Sequence, residues 1–277
     1  MQHHQANKRN IPGFGLSLGL TLSYVSLVVL IPMVSIVIQS ANLGWLGFWK
    51  TVIDPRVMAS YRVSFLCSLA AAAINCFFGV MLAWVLVRYR FPGRRIMDGL
   101  IELPFALPTA VTGIALTALY SDKGWLGGPL AQWGLKVAYT PAGIVMALTF
   151  ITLPFIVRTV QPVLEQLDPV YEDAGRLLGA SGGRIFRSII LPEITPALLT
   201  GFGLAFARGL GEYGSVVFIA GNMPYKTEIA PLMIFSKLQQ FNYGEATAVA
   251  LVMLGASFLI MLAINTIQAR AAGYVKE

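Results

Sequence analysis

Six apolar runs alternate with short polar segments along the chain, and each run is long enough to cross a bilayer as a helix. They are Phe14–Ile38, Val63–Val87, Leu100–Tyr120, Thr140–Val157, Thr195–Gly221 and Ala246–Ile267. Roughly 20 apolar residues in a helix cover the hydrocarbon layer. The pattern predicts an all-α integral membrane protein with six transmembrane helices in a single domain, residues 1–277. The first run exceeds the roughly 7–15 apolar residues of a signal peptide and is read as a span.

Local signals qualify each run. Asn42–Ser60 reads as a loop whose Trp45 and Trp49 suit an interfacial belt. In the second span Ala70–Ala73 permit close helix packing, and Asn75 suits an interhelical hydrogen bond or a place on a substrate path. Pro104 and Pro108 should bend the first turns of the third span. Glu102, at its inner end, reads as a pathway carboxylate or an interfacial one. Ser121–Ala138 is an outer loop, and the fourth span ends at Arg158. The fifth starts with a Thr195 cap and Pro196. It carries Gly201, Gly203, Gly209, Gly211 and Gly214, which let neighbouring backbones approach. Outside it, Asn222–Glu245 includes an amphipathic piece, Pro231–Phe241.

Arg208 and Glu212 interrupt the fifth span. Arg208 is about 12 residues in, roughly 18 Å along the axis and near the bilayer middle. An arginine at that depth costs on the order of 2.5–3.5 kcal/mol, so it must face protein or water. Glu212, one turn on, is its expected partner. The pair either holds helices together or lines a translocation path.

Charge orients the helices. The segments placed inside hold 12 Lys and Arg: Lys8, Arg9, Arg88, Arg90, Arg94, Arg95, Arg158, Arg176, Arg184, Arg187, Arg270 and Lys276. The segments placed outside hold seven. By the positive-inside rule both termini are cytoplasmic. The net charge of +7 therefore reflects topology and implies no nucleic-acid partner. Composition agrees: 56% hydrophobic and 12% charged residues exclude an ordinary soluble domain. His3 and His4 belong to a terminal tail, not a metal site. Cys67 and Cys76 are nine residues apart on one helix, about 13 Å of rise, too far for a disulfide. No redox or metal role is assigned to them.

The longest charged insertion is Asp168–Pro192, DPVYEDAGRLLGASGGRIFRSIILP. Asp168 followed by Pro169 starts a helix. Val170–Leu178 can form it, with Glu172 and Arg176 at i,i+4 spacing. Gly179 suits a left-handed C-terminal cap. Gly175 should weaken the helix by about 1 kcal/mol relative to Ala. Ser181 can cap a second helix running to Ile190, just ahead of Pro192. Its stripe of Ile185, Phe186, Ile189 and Ile190 opposes Arg184 and Arg187. Two short helices with a sharp turn can sit in another protein's groove.

This stretch resembles the EAA loop of ATP-binding-cassette (ABC) importer permeases. Asp173, Ala174 and Gly175 stand where that family has E-A-A, and Gly179 and Ile189-x-Leu191-Pro192 follow at its spacing. Asp for Glu and Gly for Ala are the two departures. The resemblance implies a type I importer permease fold with a cytoplasmic coupling-helix loop, here residues 159–192. It implies that Glu172, Asp173, Ala174, Gly175, Gly179, Ile189, Leu191 and Pro192 couple to a separate ATPase. Further blocks are similar to the sulfate/thiosulfate permeases of the T-subunit branch: RYRFPGR (88–94), ELPFALPTAVTG (102–113), PFIVRTVQPVLE (154–165), GLGEYG (209–214) and IAGNMPYKTE (219–228). Molybdate permeases look similar in the last two.

That branch implies a bacterial inner-membrane heterodimer with a second permease subunit. It also implies an ATPase dimer and a periplasmic sulfate- or thiosulfate-binding protein. The chain has no G-x-x-x-x-G-K-[ST], so ATP would be bound by the partner and no cofactor by this chain. No enzymatic constellation is visible. A dianion crossing a membrane needs donors or positive charge in place of its water, which Arg208 could supply without binding it tightly. The alternatives are a molybdate or tungstate importer permease, or an ion-gradient-driven secondary transporter.

Overall fold

The computed structural model describes residues 14–274, with side chains as far as 268. His3, His4, Lys8, Arg9, Lys276 and the Arg270 side chain lie outside the described residues. Within them the helices are α1 Phe14–Ala41, α2 Gly44–Val52, α3 Pro55–Arg88, α4 Arg94–Ala106, α5 Thr109–Tyr120 and α6 Gly127–Gln132. They continue as α7 Pro141–Gln166, α8 Val170–Leu177, α9 Gly182–Leu210, α10 Val216–Ile219, α11 Ala230–Gln239 and α12 Tyr243–Tyr274. Helices α1, α3, α7, α9 and α12 are each long and apolar enough to span a membrane, and α4 with α5 makes a bent sixth. The all-α, six-span expectation holds.

Helices α3, α7 and α9 form the centre. Leu86, Ile156, Val157, Val160, Leu164 and Ile194 are fully buried between them. Lipid is as apolar as leucine, so close contact rather than water exclusion holds such helices together. Small residues make the contact possible. Of the expected Ala70–Ala73 stretch, Ala71 and Ala72 are buried, Ala70 is half-buried and Ala73 is exposed, and a Cβ on Gly79 would stand 2.6 Å from Ile156 Cγ2. Gly201, Gly203 and Gly209 face Ile156, Ile264 and Ser68 in the same way. Asn75 Nδ2 donates to the Thr149 carbonyl at 3.0 Å and to Thr152 Oγ1 at 2.8 Å, the expected interhelical bonds. Helix α1 packs on α12 along its second half, while Phe14–Val25 is exposed throughout.

Several boundaries differ from the sequence reading: the third span starts at Arg94 rather than Leu100 and the sixth at Tyr243 rather than Ala246. Helix α3 begins at Pro55, not Val63, because Asp54 caps it: its carboxylate accepts from the N–H of Arg56 at 2.9 Å and of Val57 at 3.3 Å. Asn42–Ser60 is thus largely helical. The third span is not merely bent but broken, with α4 and α5 at 111°. Leu107 is extended ahead of Pro108, as the residue before a proline prefers. Helix α7 continues past Arg158 to Gln166, so residues 159–166 are its last turns and not a loop.

The second helix of the charged insertion does not stop before Pro192. A π-turn at Phe186–Ile190 closes with the Leu191 N–H on the Phe186 carbonyl, and the helix runs on. The wider turn relieves the clash between a proline ring and the preceding turn. The same device, Ser26–Leu30, precedes Pro32 in α1. Last, the fifth helix ends at Leu210 rather than Gly221. Residues 211–229 are irregular apart from α10, which packs against α5 and α7. Non-helical backbone at membrane depth is tolerated where protein covers it, and Ser215, Val216, Ile219 and Ala220 are fully buried.

Candidate functional site

Two regions carry the chemistry the sequence singled out. The first is the hairpin at the basic end of α3, tied through Arg88 to the stretch that also holds Arg90, Arg94 and Arg95. Asp168 Oδ1 accepts from the Val170 N–H at 3.0 Å and starts α8. Gly179 closes it in the left-handed region, φ +76°. The Gly179 N–H reaches the Arg176 carbonyl at 2.9 Å and the Ala180 N–H the Gly175 carbonyl at 3.0 Å, a Schellman-type end. Ser181 makes no side-chain cap bond. Ile185 and Ile190 are buried, Phe186 and Ile189 half-buried, and Arg184 and Arg187 exposed, as the stripe predicts.

Gly175 is buried against that stripe: a Cβ would lie 3.0 Å from Ile185 Cγ1. Glycine here costs helix propensity but lets α8 seat on α9. The expected Glu172–Arg176 pair is long, 3.8 Å; Arg176 instead donates to Asp173 at 3.0 Å. Glu172 is buried, and its close partner is Arg88 at the end of α3, 2.8 Å away. Sequence reasoning used Arg88 for topology and in the RYRFPGR resemblance but missed this contact, which spans 84 residues.

Asp173 and Ala174 are exposed, Leu191 is half-buried and Pro192 is exposed. The outer side of α8 is apolar. Val170, Tyr171, Leu177 and Leu178 all face solvent, the last two 90% and 88% exposed. Two neighbouring leucines are thus left uncovered at the end of a two-turn helix.

The second region lies beyond α9. Arg208, in the last turn, donates to Glu212 at 2.6 Å, as the spacing predicts. A cation suits that position, because unpaired carbonyls make a helix C-terminus negative. Glu212 is buried; its other oxygen accepts from the Ser215 N–H at 2.9 Å and Ser215 Oγ at 3.0 Å. The carboxylate thus folds 211–215 into a turn, a role the sequence reading did not give it. Arg208 keeps 37% of its side chain exposed, with donors beyond the one Glu212 uses. Gly214 packs on Thr109 at the start of α5, where a Cβ would meet Oγ1 at 2.2 Å. The break after α9 therefore lies against the break between α4 and α5.

Glu102 is not free for a path. Arg158 on α7 bridges it at 2.7 Å and Asp98 at 2.8 Å, fastening the α4 arm to the centre. At the end opposite the basic loop, Arg56 forks onto the buried Glu228, with Nε 2.7 Å from Oε2 and Nη2 2.8 Å from Oε1. Neither pair was foreseen.

Residues 75–273 match the family described as "Binding-protein-dependent transport system inner membrane component". The chain is 49% identical over 265 residues to the sulfate transport system permease protein CysT of Salmonella typhimurium, covering 96% of each. It is 43% identical to the protein of that name from Synechocystis, over 93% of this chain and 90% of that one. In the crystal structure of a bacterial ABC transporter that imports the polysaccharide alginate, one chain superposes with a TM-score of 0.76 at 16% identity. The match covers 94% of this chain and 96% of that one. A MetNI methionine ABC transporter chain superposes at 0.58 over 78% and 94%. Both likenesses are of fold.

Proposed function

Because the chain belongs to the binding-protein-dependent transport system inner membrane components, we propose that it is the permease subunit of an ATP-driven importer of sulfate and thiosulfate. The observation that carries the substrate is the 49% identity over 96% of both chains to a sulfate permease. The basic end faces the cytoplasm, with both termini there, in a bacterial inner membrane. The uncovered leucines of α8 dock on an ATPase subunit, which binds and hydrolyses ATP. Glu172, Asp173, Ala174, Gly175, Gly179, Ile189, Leu191 and Pro192 shape that docking element. A second permease completes the path, and a periplasmic binding protein delivers the anion from outside.

Arg208 stands on the path. A dianion leaving water needs donors, and a half-exposed guanidinium beside a helix break supplies them. Glu212 neutralises its charge in part, which keeps binding weak enough for release. ATP-driven closure of the ATPase dimer moves α8, and the spans alternate between outward and inward access.

The test is purification of the chain in mild detergent with its genomic neighbours, mass spectrometry of the complex, and uptake of labelled sulfate in proteoliposomes. An ATPase, a second permease and ATP-dependent sulfate uptake, competed by thiosulfate and not by molybdate, are expected. Uptake by the chain alone, collapsing with an uncoupler, would overturn the reading. Preference for molybdate would overturn the substrate.

A further inference from the structure

Two ion pairs joining distant parts of the sequence sit at opposite ends of one helix. At the basic end of α3, Arg88 Nη2 lies 2.8 Å from Glu172 of α8 and donates to the Leu167 carbonyl at 3.1 Å. At the other end Arg56 forks onto Glu228, at the close of the irregular segment 211–229. Two residues on, the Ala230 N–H donates to Ser64 Oγ of α3 at 2.8 Å, a second fastening. Both carboxylates are buried, Glu172 at 6% and Glu228 at 3% exposure.

Between these joints α3 runs 34 residues, about 50 Å, with proline only at its first position. Helices α7 and α9 carry prolines inside, and α1 a π-turn before Pro32. Helix α3 thus lacks an interior proline and a widened turn, two of the features at which helices kink. Removing the arginine from a buried carboxylate is strongly unfavourable, so neither joint opens freely when its end is pushed.

We infer that α3 is a strut that carries displacement of α8 to the segment 211–229, with Arg88 and Arg56 as positioning residues at its two joints. The inference rests on the reading of α8 as the ATPase-facing element. It assigns the far end a definite target, since 211–229 holds Glu212, Ser215 and α10. The joints differ. The Arg56 fork is bidentate, whereas Arg88 Nε has no hydrogen-bond partner. The outer joint is held by two parallel bonds, and the inner one by Nη2 alone, which reaches both Glu172 and the Leu167 carbonyl.

The experiment measures sulfate imported per ATP hydrolysed by the full complex in proteoliposomes. It compares wild type with Arg88→Gln, Arg56→Gln, their combination, and the reversed pair Arg88→Glu with Glu172→Arg. Each single change should lower the ratio by roughly fivefold or more, the low end of coupling between sites. The combination should be no worse than the poorer single change, because joints in series fail together. The reversed pair should recover about half the ratio. Unchanged ratios in the single variants, or losses that multiply in the combination, would overturn the strut. So would loss of ATPase subunits from the Arg88 variant without repair by the reversed pair, since the inner pair would then only hold the fold. A wild-type complex without ATP-dependent sulfate uptake would overturn the proposed function itself, and the strut with it.

Discussion

Gly113 and Ser215 meet backbone to backbone: a Cβ on Gly113 would stand 2.4 Å from the Ser215 carbonyl oxygen and 2.7 Å from its Cα. Ser215 in turn holds the Glu212 carboxylate through two hydrogen bonds. Helix α5 thus presses on the turn that anchors Arg208. Gly113→Val should displace that turn and lower sulfate uptake by roughly tenfold or more, the scale of about 1.4 kcal/mol. Gly255→Ala, where nothing lies within 4 Å of the added carbon, is the control and should transport normally. Equal uptake by the two variants would show that the contact is dispensable.

Gly179 has open space around it, so its requirement is one of backbone only. At φ +76° a β-branched residue is an outlier. An L residue in this region costs about 1–2 kcal/mol. Gly179→Val should leave the protein inserted and assembled with its partners but cut uptake. Gly179→Asn, which tolerates the left-handed region, should keep most of it. Transport by the valine variant at the wild-type rate would exclude the turn from coupling.

The Arg208–Glu212 pair predicts unequal single losses. Arg208→Met leaves a buried carboxylate held only by Ser215, so thermal stability in detergent should fall more than for Glu212→Gln, which leaves a half-exposed arginine. Arg208→Met with Glu212→Gln should recover part of the lost stability, because no uncompensated charge remains. Sulfate uptake should stay low in that double variant if the guanidinium serves the ion. Normal uptake would remove the pair from the path.

Asn75 gives the opposite expectation. Its bonds to Thr149 and Thr152 tie α3 to α7 inside the bundle. Asn75→Leu should lower stability by about 0.6–1.7 kcal/mol, the range for interhelical bonds in membranes. Uptake per folded complex should not change. A transport defect without a stability defect would place Asn75 on the path instead.

What the sequence disclosed depended on the range of the interaction. The six spans, the Gly179 cap, the stripe on Ile185–Ile190 and the Arg208–Glu212 pair are patterns local in the sequence, and all are present. The misplaced starts and stops came from uneven use of local chemistry. Asp54-Pro55 carries the same start signal as Asp168-Pro169, yet the long apolar run behind it begins only at Val63. Pro192 carries a stop signal, but a π-turn lets the helix pass through it. Leu210 ends its helix because Glu212 turns back to Ser215, and hydropathy cannot register that turn. Arg88–Glu172, Arg56–Glu228 and Arg158–Glu102 were illegible, because each joins residues at least 56 positions apart.

The π-turn at Phe186–Ile190 also sets a phase. A π-turn holds one residue more than the α-turn it replaces, and one residue corresponds to about 100° of rotation in an α-helix. Everything ahead of it in the chain is therefore clocked against the span behind it by that extra residue. Deleting Ser188 would let the turn relax to a regular one with the phase kept, whereas tightening it to α geometry with every residue in place would swing Gly182–Ile185 by about 100° around the axis, carrying the seat of Gly175 away from α8. The docking helix would still fold, still show its leucines, and point them in the wrong direction.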